Sequence, residues 1–359
     1  MQDKNIRTYS VRSRYHLLVL LVFISLFTSA CQKKVSEHHD SFLIFGTIIN
    51  ITLLDIDEKL AQDSFRQIRE DLQVMHRTWH VWEPGPLMRF NQLLETKYEF
   101  SAAPSVLDLF HKAKALSIKS QNLFNPAIGK LIALWGFHSH KQPEITPSKK
   151  AILALVKQQP TMQDITVSGV RVISKNAAVK LDFGAVAKGF AIDRLLKGLK
   201  QKGIYNALID TGGDLKVIGQ HGKRAWKIAI RDPRKKDKLI ASIELKDGEA
   251  AFTSGDYERY LKNKNNNDQH LHHIIDPRTG YPAKGTQSVT VLHTDAATAD
   301  AAATALFIAG PKQWPKIAKS MGIKYVLLVD SEGAIHISSA MNKRIQFQQQ
   351  RNIVEQVEL

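Results

Sequence analysis

An alanine-rich stretch, Thr294 to Ala309, directly follows a β-branched run from Ser288 to Leu292, and the rest of the chain has to be organised around this pair. Alanine has the best helix propensity, so the stretch predicts a helix, with Thr294 as its expected N-cap and Asp295 in the positive first turn. Asp300 and Thr304 stand four residues apart, which places both side-chain oxygens on one helix face. Their neighbours Ala297, Ala301, Ala303 and Leu306 are residues that usually pack inward. A carboxylate in such surroundings costs several kcal/mol unless it is paired or bound to a metal. From this segment alone two readings stand: Asp300 meets solvent or a core arginine, or Asp300 and Thr304 hold a cation.

The chain is long enough, at 359 residues, for one large domain or two. Its formal charge of +16 raises nucleic acid as a partner, but the N-terminus argues against it. Arg7, Arg12 and Arg14 precede an apolar run, Leu17 to Phe27, and small residues Thr28-Ser29-Ala30 then lead to Cys31. This is the layout of an export signal, too short for a comfortable transmembrane helix. Cys31 is the sole cysteine, which excludes an intramolecular disulfide, and its position resembles that of a bacterial lipobox cysteine that is lipidated at the mature N-terminus. An ordinary signal with a chance cysteine is the other reading. In either case the exported, basic chain points to anionic headgroups or phosphate-bearing ligands and not to nucleic acid.

The expected organisation is a signal peptide over 1–31, a polar tether over 32–41, a catalytic domain over 42–340 and a polar C-terminal tail over 341–359. Phe42 to Leu54 reads as a strand interrupted at Gly46-Thr47, and Asp57 to Met75 and Ser105 to Ser120 carry apolar residues at helical spacing. A helix is expected to begin at Asn125-Pro126, with proline in its first turn. A strand from Val179 to Asp182, the small-residue turn Phe183 to Gly189 and a helix to about Lys202 together form an anion-ready helix N-terminus, to which Lys188 adds a full charge. Close packing is the alternative reason for its glycines. Helices dominate the first third and strands the second half, so the fold class is α+β: one domain of mixed and antiparallel sheets flanked by helices.

These pieces, in order, resemble the ApbE-type flavin transferases, FAD:protein FMN transferases formerly called thiamine-biosynthesis lipoproteins. The matching segments are Phe45-Gly46-Thr47, Leu87 to Asn91, Leu134 to Phe137, Leu181 to Gly184, Lys188-Gly189, Thr211-Gly212-Gly213, Thr253-Ser254-Gly255, His273 to Pro277, Thr279-Gly280, and Ala299-Asp300 with Thr304. The resemblance implies an enzyme that takes FAD as substrate with Mg2+, moves FMN onto a threonine or serine hydroxyl of an acceptor flavoprotein such as a subunit of a membrane redox complex, and releases AMP. FAD hydrolysis to FMN and AMP, or flavin binding without turnover, are the alternatives. The implied metal ligands are Asp300, Thr304 and the main-chain carbonyl of Ala185, and the implied base is His273. Phe45, Trp79, Leu123, Phe124, Asn125, Asp182, Lys188 and Ile275 are the implied FAD contacts. Ala303 stands where many members carry another carboxylate, Phe45 where methionine is common and Asn125 where aspartate is. His270 and His272 raise a zinc reading, which further ligands would have to complete. The implied location is the cell envelope, facing the periplasm and held by a lipid anchor.

Overall fold

The computed structural model describes residues 35–137, 146–235, 237–258, 260–262, 270–349 and 353–359. The expected export signal with Cys31, the expected loop at His138–His140 and the Asn-rich stretch 263–269 lie outside them. No described helix is long and apolar enough to cross a membrane. Glu37–Leu359 forms one compact unit built on a nine-stranded sheet. Its strands follow chain order across the sheet and are numbered accordingly: β1 Glu37–Ile44, β2 Thr47–Leu54, β3 Ala207–Asp210, β4 Leu215–Ile218, β5 Ala250–Gly255, β6 Thr286–His293, β7 Tyr325–Asp330, β8 Ile335–Ser338 and β9 Ile353–Val357. Every neighbouring pair is antiparallel except β8–β9, which is parallel.

The period-2 pattern of these strands sends alternate side chains to two cores. Ile49, Ile51, Val289, Val291, Val326 and Leu328 join the core beneath the helices Glu58–Trp79, Pro104–Lys119, Ala187–Gln201 and Ala296–Met321. Leu292, Leu327, Val329, Ile335 and Ile337 face the opposite core. There they meet Trp226, Ile230, Ile240 and Ile243 from a small sheet formed by Trp226–Arg231, Leu239–Leu245 and Gln346–Phe347. The α+β expectation holds, and the sheet covered on both faces gives the long helix Ala296–Met321 a fixed seat.

Five assignments differ from expectation. The tether does not run to residue 41, because Glu37–Ile44 pairs residue for residue with β2, and Arg69 sits over the ring of Phe42 at 4.7 Å. The tail is not a tail: Ile353–Val357 adds to the sheet, and Glu355 and Asp330 each take one nitrogen of buried His336 at 3.0 Å. Val179–Asp182 forms no strand, only a bridge of Lys180 to Ile128, and the helix after Asn125 starts at Gly129. The N-cap of the long helix is Asp295, not Thr294; its carboxylate accepts from Thr298 N (2.7 Å) and is drawn below the ordinary range by Lys112 and Thr298 despite its burial. A carboxylate beside a cation caps better than a neutral hydroxyl one residue earlier.

Candidate active site

The site is organised by a close approach of two helices. Gly189, in the first turn of Ala187–Gln201, lies against the start of the long helix: a Cβ there would stand 2.3 Å from the carbonyl oxygen of Ala296. Asp193 secures the approach by accepting from Ala296 N and Ala297 N, both at 3.1 Å, while Lys216 reaches it at 2.6 Å. The contact brings the N–H of Gly189 to Oδ2 of Asp300 at 3.1 Å. Both readings of this turn therefore hold at once: the glycine permits packing, and the helix N-terminus faces an anion, here the chain's own carboxylate.

Asp300 is 5% exposed. Burial raises its pKa, Lys188 and the Gly189 N–H oppose the rise, and Asp214 and Glu258 add to it, so that it is pushed up to about 7. Thr304, one turn on, approaches Ser254 Oγ of β5 at 3.2 Å. Lys188 does not pair with Asp300; its ammonium meets Asp214 Oδ2 at 2.6 Å. Burial disfavours that ammonium, but Asp214, Asp300 and Glu258 outweigh it and keep the lysine charged. Asp214 also accepts from Thr253 N (2.8 Å), and so ties the Gly212-Gly213 turn to β5. Asp214 and Glu258 were not among the expected site residues. Asp214 was detectable as the carboxylate that closes the glycine turn Asp210-Thr211-Gly212-Gly213-Asp214; Glu258 carried no such signal.

All twelve expected residues line one cleft of about 500 Å3: Phe45, Trp79, Leu123, Phe124, Asn125, Asp182, Ala185, Lys188, His273, Ile275, Asp300 and Thr304. Phe45 occupies the tight β1–β2 turn with φ 54°, followed by Gly46 at 72°. A left-handed phenylalanine is strained, and here the strain aims an aromatic ring into the cleft. Its ring lies 6.4 Å from Trp79 at 16° between planes. Trp79 itself is nearly buried, with its Nε1 donating to Ser105 O (3.1 Å), so it builds the wall. Half-buried Trp82, which carries Lys180 over its ring at 4.4 Å, also lines the cleft and was missed by sequence reasoning. Asn125 donates to Pro160 O (2.8 Å) and accepts from Ala127 N (3.0 Å), which makes it a brace for the loop. His273 is half-buried and meets the edge of Phe137 at 6.4 Å.

The oxygen-only set of Asp300 and Thr304, with Ala185 on the same cleft, suits a hard cation such as Mg2+. A carboxylate that burial leaves half protonated near neutrality, with its neighbouring ammonium committed elsewhere, fits a site completed by a cation. The zinc reading fails at His272, whose Nε2 donates to Ala283 O (2.8 Å) while Nδ1 accepts from Ile274 N (3.3 Å), leaving no lone pair for a metal. His76, His80 and Glu83 cluster at the cleft, yet Nδ1 of His80 accepts from Glu83 N (2.9 Å) and Trp82 N (3.3 Å). Neutral His80 thus carries its proton on Nε2, which turns a donor toward any ion.

The α+β domain thus sets a buried carboxylate and a hydroxyl beside a lysine, a helix N-terminus and aromatic walls in one cleft. The match to the ApbE family extends over residues 45–327, and the chain belongs to that family. It is 38% identical over 307 residues to a protein of Rhodobacter capsulatus named FAD:protein FMN transferase, which covers 86% of this chain. The chain spans 58% of the length of that relative. The ApbE protein of Thermotoga maritima superposes with a TM-score of 0.78 at 31% identity, covering 88% of this chain and all (100%) of that one. The flavin transferase ApbE of Vibrio cholerae gives 0.74 at 26%, covering 86% and 99%.

Proposed function

We propose that this protein transfers the FMN half of FAD to a threonine or serine hydroxyl of an acceptor flavoprotein, releasing AMP, with Mg2+ as cofactor. The observation that carries this reading is the convergence of the twelve residues on one cleft, with a buried carboxylate and hydroxyl at one side and aromatic rings at another. Asp300, Thr304 and the Ala185 carbonyl hold Mg2+, which when bound neutralises charge on the phosphate oxygens. Phe45, Trp79, Leu123, Phe124, Asn125, Asp182, Lys188 and Ile275 form the FAD surface, with Lys188 as the fixed charge at the pyrophosphate. In the transfer the acceptor oxygen forms a bond to the FMN phosphorus, the bond from that phosphorus to the bridging oxygen breaks, and the oxygen leaves with AMP. His273 takes the hydroxyl proton, a role suited to imidazole near neutral pH. Incubation with FAD, Mg2+ and a candidate acceptor should leave covalent flavin fluorescence on the acceptor band after denaturing electrophoresis. Release of only free FMN and AMP would make the protein a hydrolase, and no product at any Mg2+ concentration would make it a flavin-binding protein.

The export signal and Cys31 support a lipid-anchored protein at the periplasmic face of the cell envelope, where a subunit of a membrane redox complex is the expected acceptor. Cys31→Ser should move the protein from the membrane to the soluble fraction; unchanged membrane association would remove the anchor from this reading.

A further inference from the structure

The long helix changes character at Gly310 (φ 68°, ψ 179°), where its regular geometry breaks. Before the break, Ala296 to Ala309 is buried throughout except at half-buried Thr304. After it the helix is one-sided: Trp314, Ile317, Ala318 and Met321 pack into the core, while Lys312, Lys316 and Lys319 are exposed. At 3.6 residues per turn these lysines fall within about 60° of arc, opposite the buried set. Two more lysines extend the stripe. Ser320 Oγ donates to Lys119 O (2.6 Å), which brings the last turn of Pro104–Lys119 alongside, with Ile118 49% exposed next to that lysine. Lys324 follows the helix end at Gly322.

This surface has almost no carboxylates of its own. Gly310 to Lys324 and Leu109 to Ser120 contain no Asp or Glu, and Lys119, Lys312, Lys316, Lys319 and Lys324 form no ion pair among the described residues. On the adjoining strand β9, Glu355 is committed to His336 and Trp314 at 3.0 and 3.3 Å, and exposed Glu358 follows the strand. Compensation of the two helix ends by Lys119 and Lys319 accounts for only part of the charge. The ammonium groups, set against Glu358 and two helix C-termini of about half a negative charge each, keep a surplus of about three.

The register of the large sheet relates this surface to the point where the chain enters the domain. Glu37 stands opposite Leu54, Leu53 opposite Ala207, and Ala207 opposite Ile218. Lys216 stands opposite Ala250, Ala250 opposite His293, and Leu292 opposite Tyr325. Glu37 and Tyr325, the residue after Lys324, therefore lie at one end of the sheet, roughly 29 Å apart at the spacing of neighbouring strands. A domain tethered to a membrane through Glu37 thus carries a second, basic contact at the same end.

We propose that Lys119, Lys312, Lys316, Lys319 and Lys324 dock the domain on an anionic phospholipid surface, with Ile118 entering the headgroup layer, and so fix how the domain sits on the membrane. The proposal rests on the envelope location proposed above and not on the flavin chemistry. The charges are spread over a convex helix face, about 10 Å from Lys312 to Lys319 alone, which suits a plane of headgroups. A lysine near such a surface strengthens binding by about fivefold. With the chain anchored, the contact forms within one tethered molecule, so modest attraction is enough to hold it.

The test is co-sedimentation of the full chain carrying Cys31→Ser, which has no thiol to lipidate, with vesicles of phosphatidylcholine or of an equimolar mixture of phosphatidylcholine and phosphatidylglycerol. The anionic vesicles should bind it at least about tenfold more tightly, and the preference should fade at high salt. Lys316→Glu, Lys319→Glu and Lys324→Glu together should lower that preference at least about tenfold, and the milder Lys→Gln set should lower it less. Lys149→Glu, Lys157→Glu and Lys175→Glu together, the same change of charge at exposed lysines on other elements, should leave it within about twofold. Equal binding to both vesicles would overturn the proposal, and so would an equal loss in the two Lys→Glu sets, which would make net charge alone responsible. Binding of soluble polyaspartate in place of the anionic vesicles would also overturn it, by making the surface a site for acidic protein. The vesicle measurement does not use the lipid anchor, so its failure is distinct from a failure of the anchor in cell fractionation.

Discussion

Magnesium should bind about tenfold more tightly at pH 8 than at pH 6, because the metal has to displace a proton from Asp300. Burial lifts this carboxyl, Lys188 and Gly189 N–H pull it down, Asp214 and Glu258 lift it again, and it comes to rest at about 7. Only the ionised form offers the ligand a metal needs. With such a pKa about one molecule in eleven is ionised at pH 6, half at pH 7 and about ten in eleven at pH 8. Apparent affinity therefore rises in proportion below neutrality and flattens above it, with nearly one proton released per ion at pH 6 and about a tenth of one at pH 8. Calorimetric titration with Mg2+ in two buffers of different ionisation enthalpy measures both quantities. Asp300→Asn should abolish the pH dependence along with most of the affinity. Affinity that stays flat from pH 6 to 8, without proton release, would show that Asp300 is not the ligand or that burial does not set its pKa.

Three further outcomes follow from the packing around it. Gly189→Ala should destabilise the protein by about 1–3 kcal/mol in urea unfolding, since its Cβ would meet the backbone of Ala296 at 2.3 Å, and should weaken Mg2+ binding by displacing the N–H that holds Asp300. Asp214→Asn leaves the Lys188 ammonium with its 2.6 Å partner neutralised, a loss of roughly 3 kcal/mol or more that chemical denaturation would register. His273→Ala should lower transfer by about 10²- to 10⁴-fold while FAD affinity stays within about twofold; lost FAD binding would make the histidine a flavin contact.

The parts of the site that the sequence displayed were those whose logic is local. Asp300 and Thr304 share a face because four residues make a helical turn, and Gly189 had to serve either packing or a helix N-terminus, each visible in a short window. What escaped depends on partners far along the chain. Asp214 matters because Lys188 and Thr253 meet it, 26 residues before it and 39 after. Glu37–Ile44 and Ile353–Val357 are the edge strands of the large sheet, and an edge strand shows a weak apolar pattern because much of it faces water. The aromatic roles were also undecidable in one dimension: Trp79 ends the helix Glu58–Trp79 and Trp82 follows three residues later, and only the fold makes one a wall and the other a half-open surface.

The missing carboxylate at Ala303 gains an answer from electrostatics. Among the described residues the cleft is lined by Glu83, Asp182, Asp214, Glu258 and Asp300 against one ammonium, that of Lys188, so this lining is acidic inside a chain whose formal charge is +16. Asp214 and Glu258 put negative charge beside Asp300 from other parts of the chain, a field that on the proposed reading would attract a cation without a carboxylate at position 303. The same balance bears on the substrate. A pyrophosphate carries negative charge into a cavity already negative, and one uncompensated like-charge pair at contact distance costs on the order of 4 kcal/mol at an effective dielectric of about 20. Lys188 cannot offset this alone, because Asp214 already holds it at 2.6 Å. Chelation with EDTA should therefore weaken FAD binding itself by at least about tenfold, beyond stopping turnover, and Asp300→Asn should narrow that difference by removing one of the repelling charges. Equal FAD affinity with and without the chelator, measured by flavin fluorescence quenching, would mean that the phosphates bind away from these carboxylates.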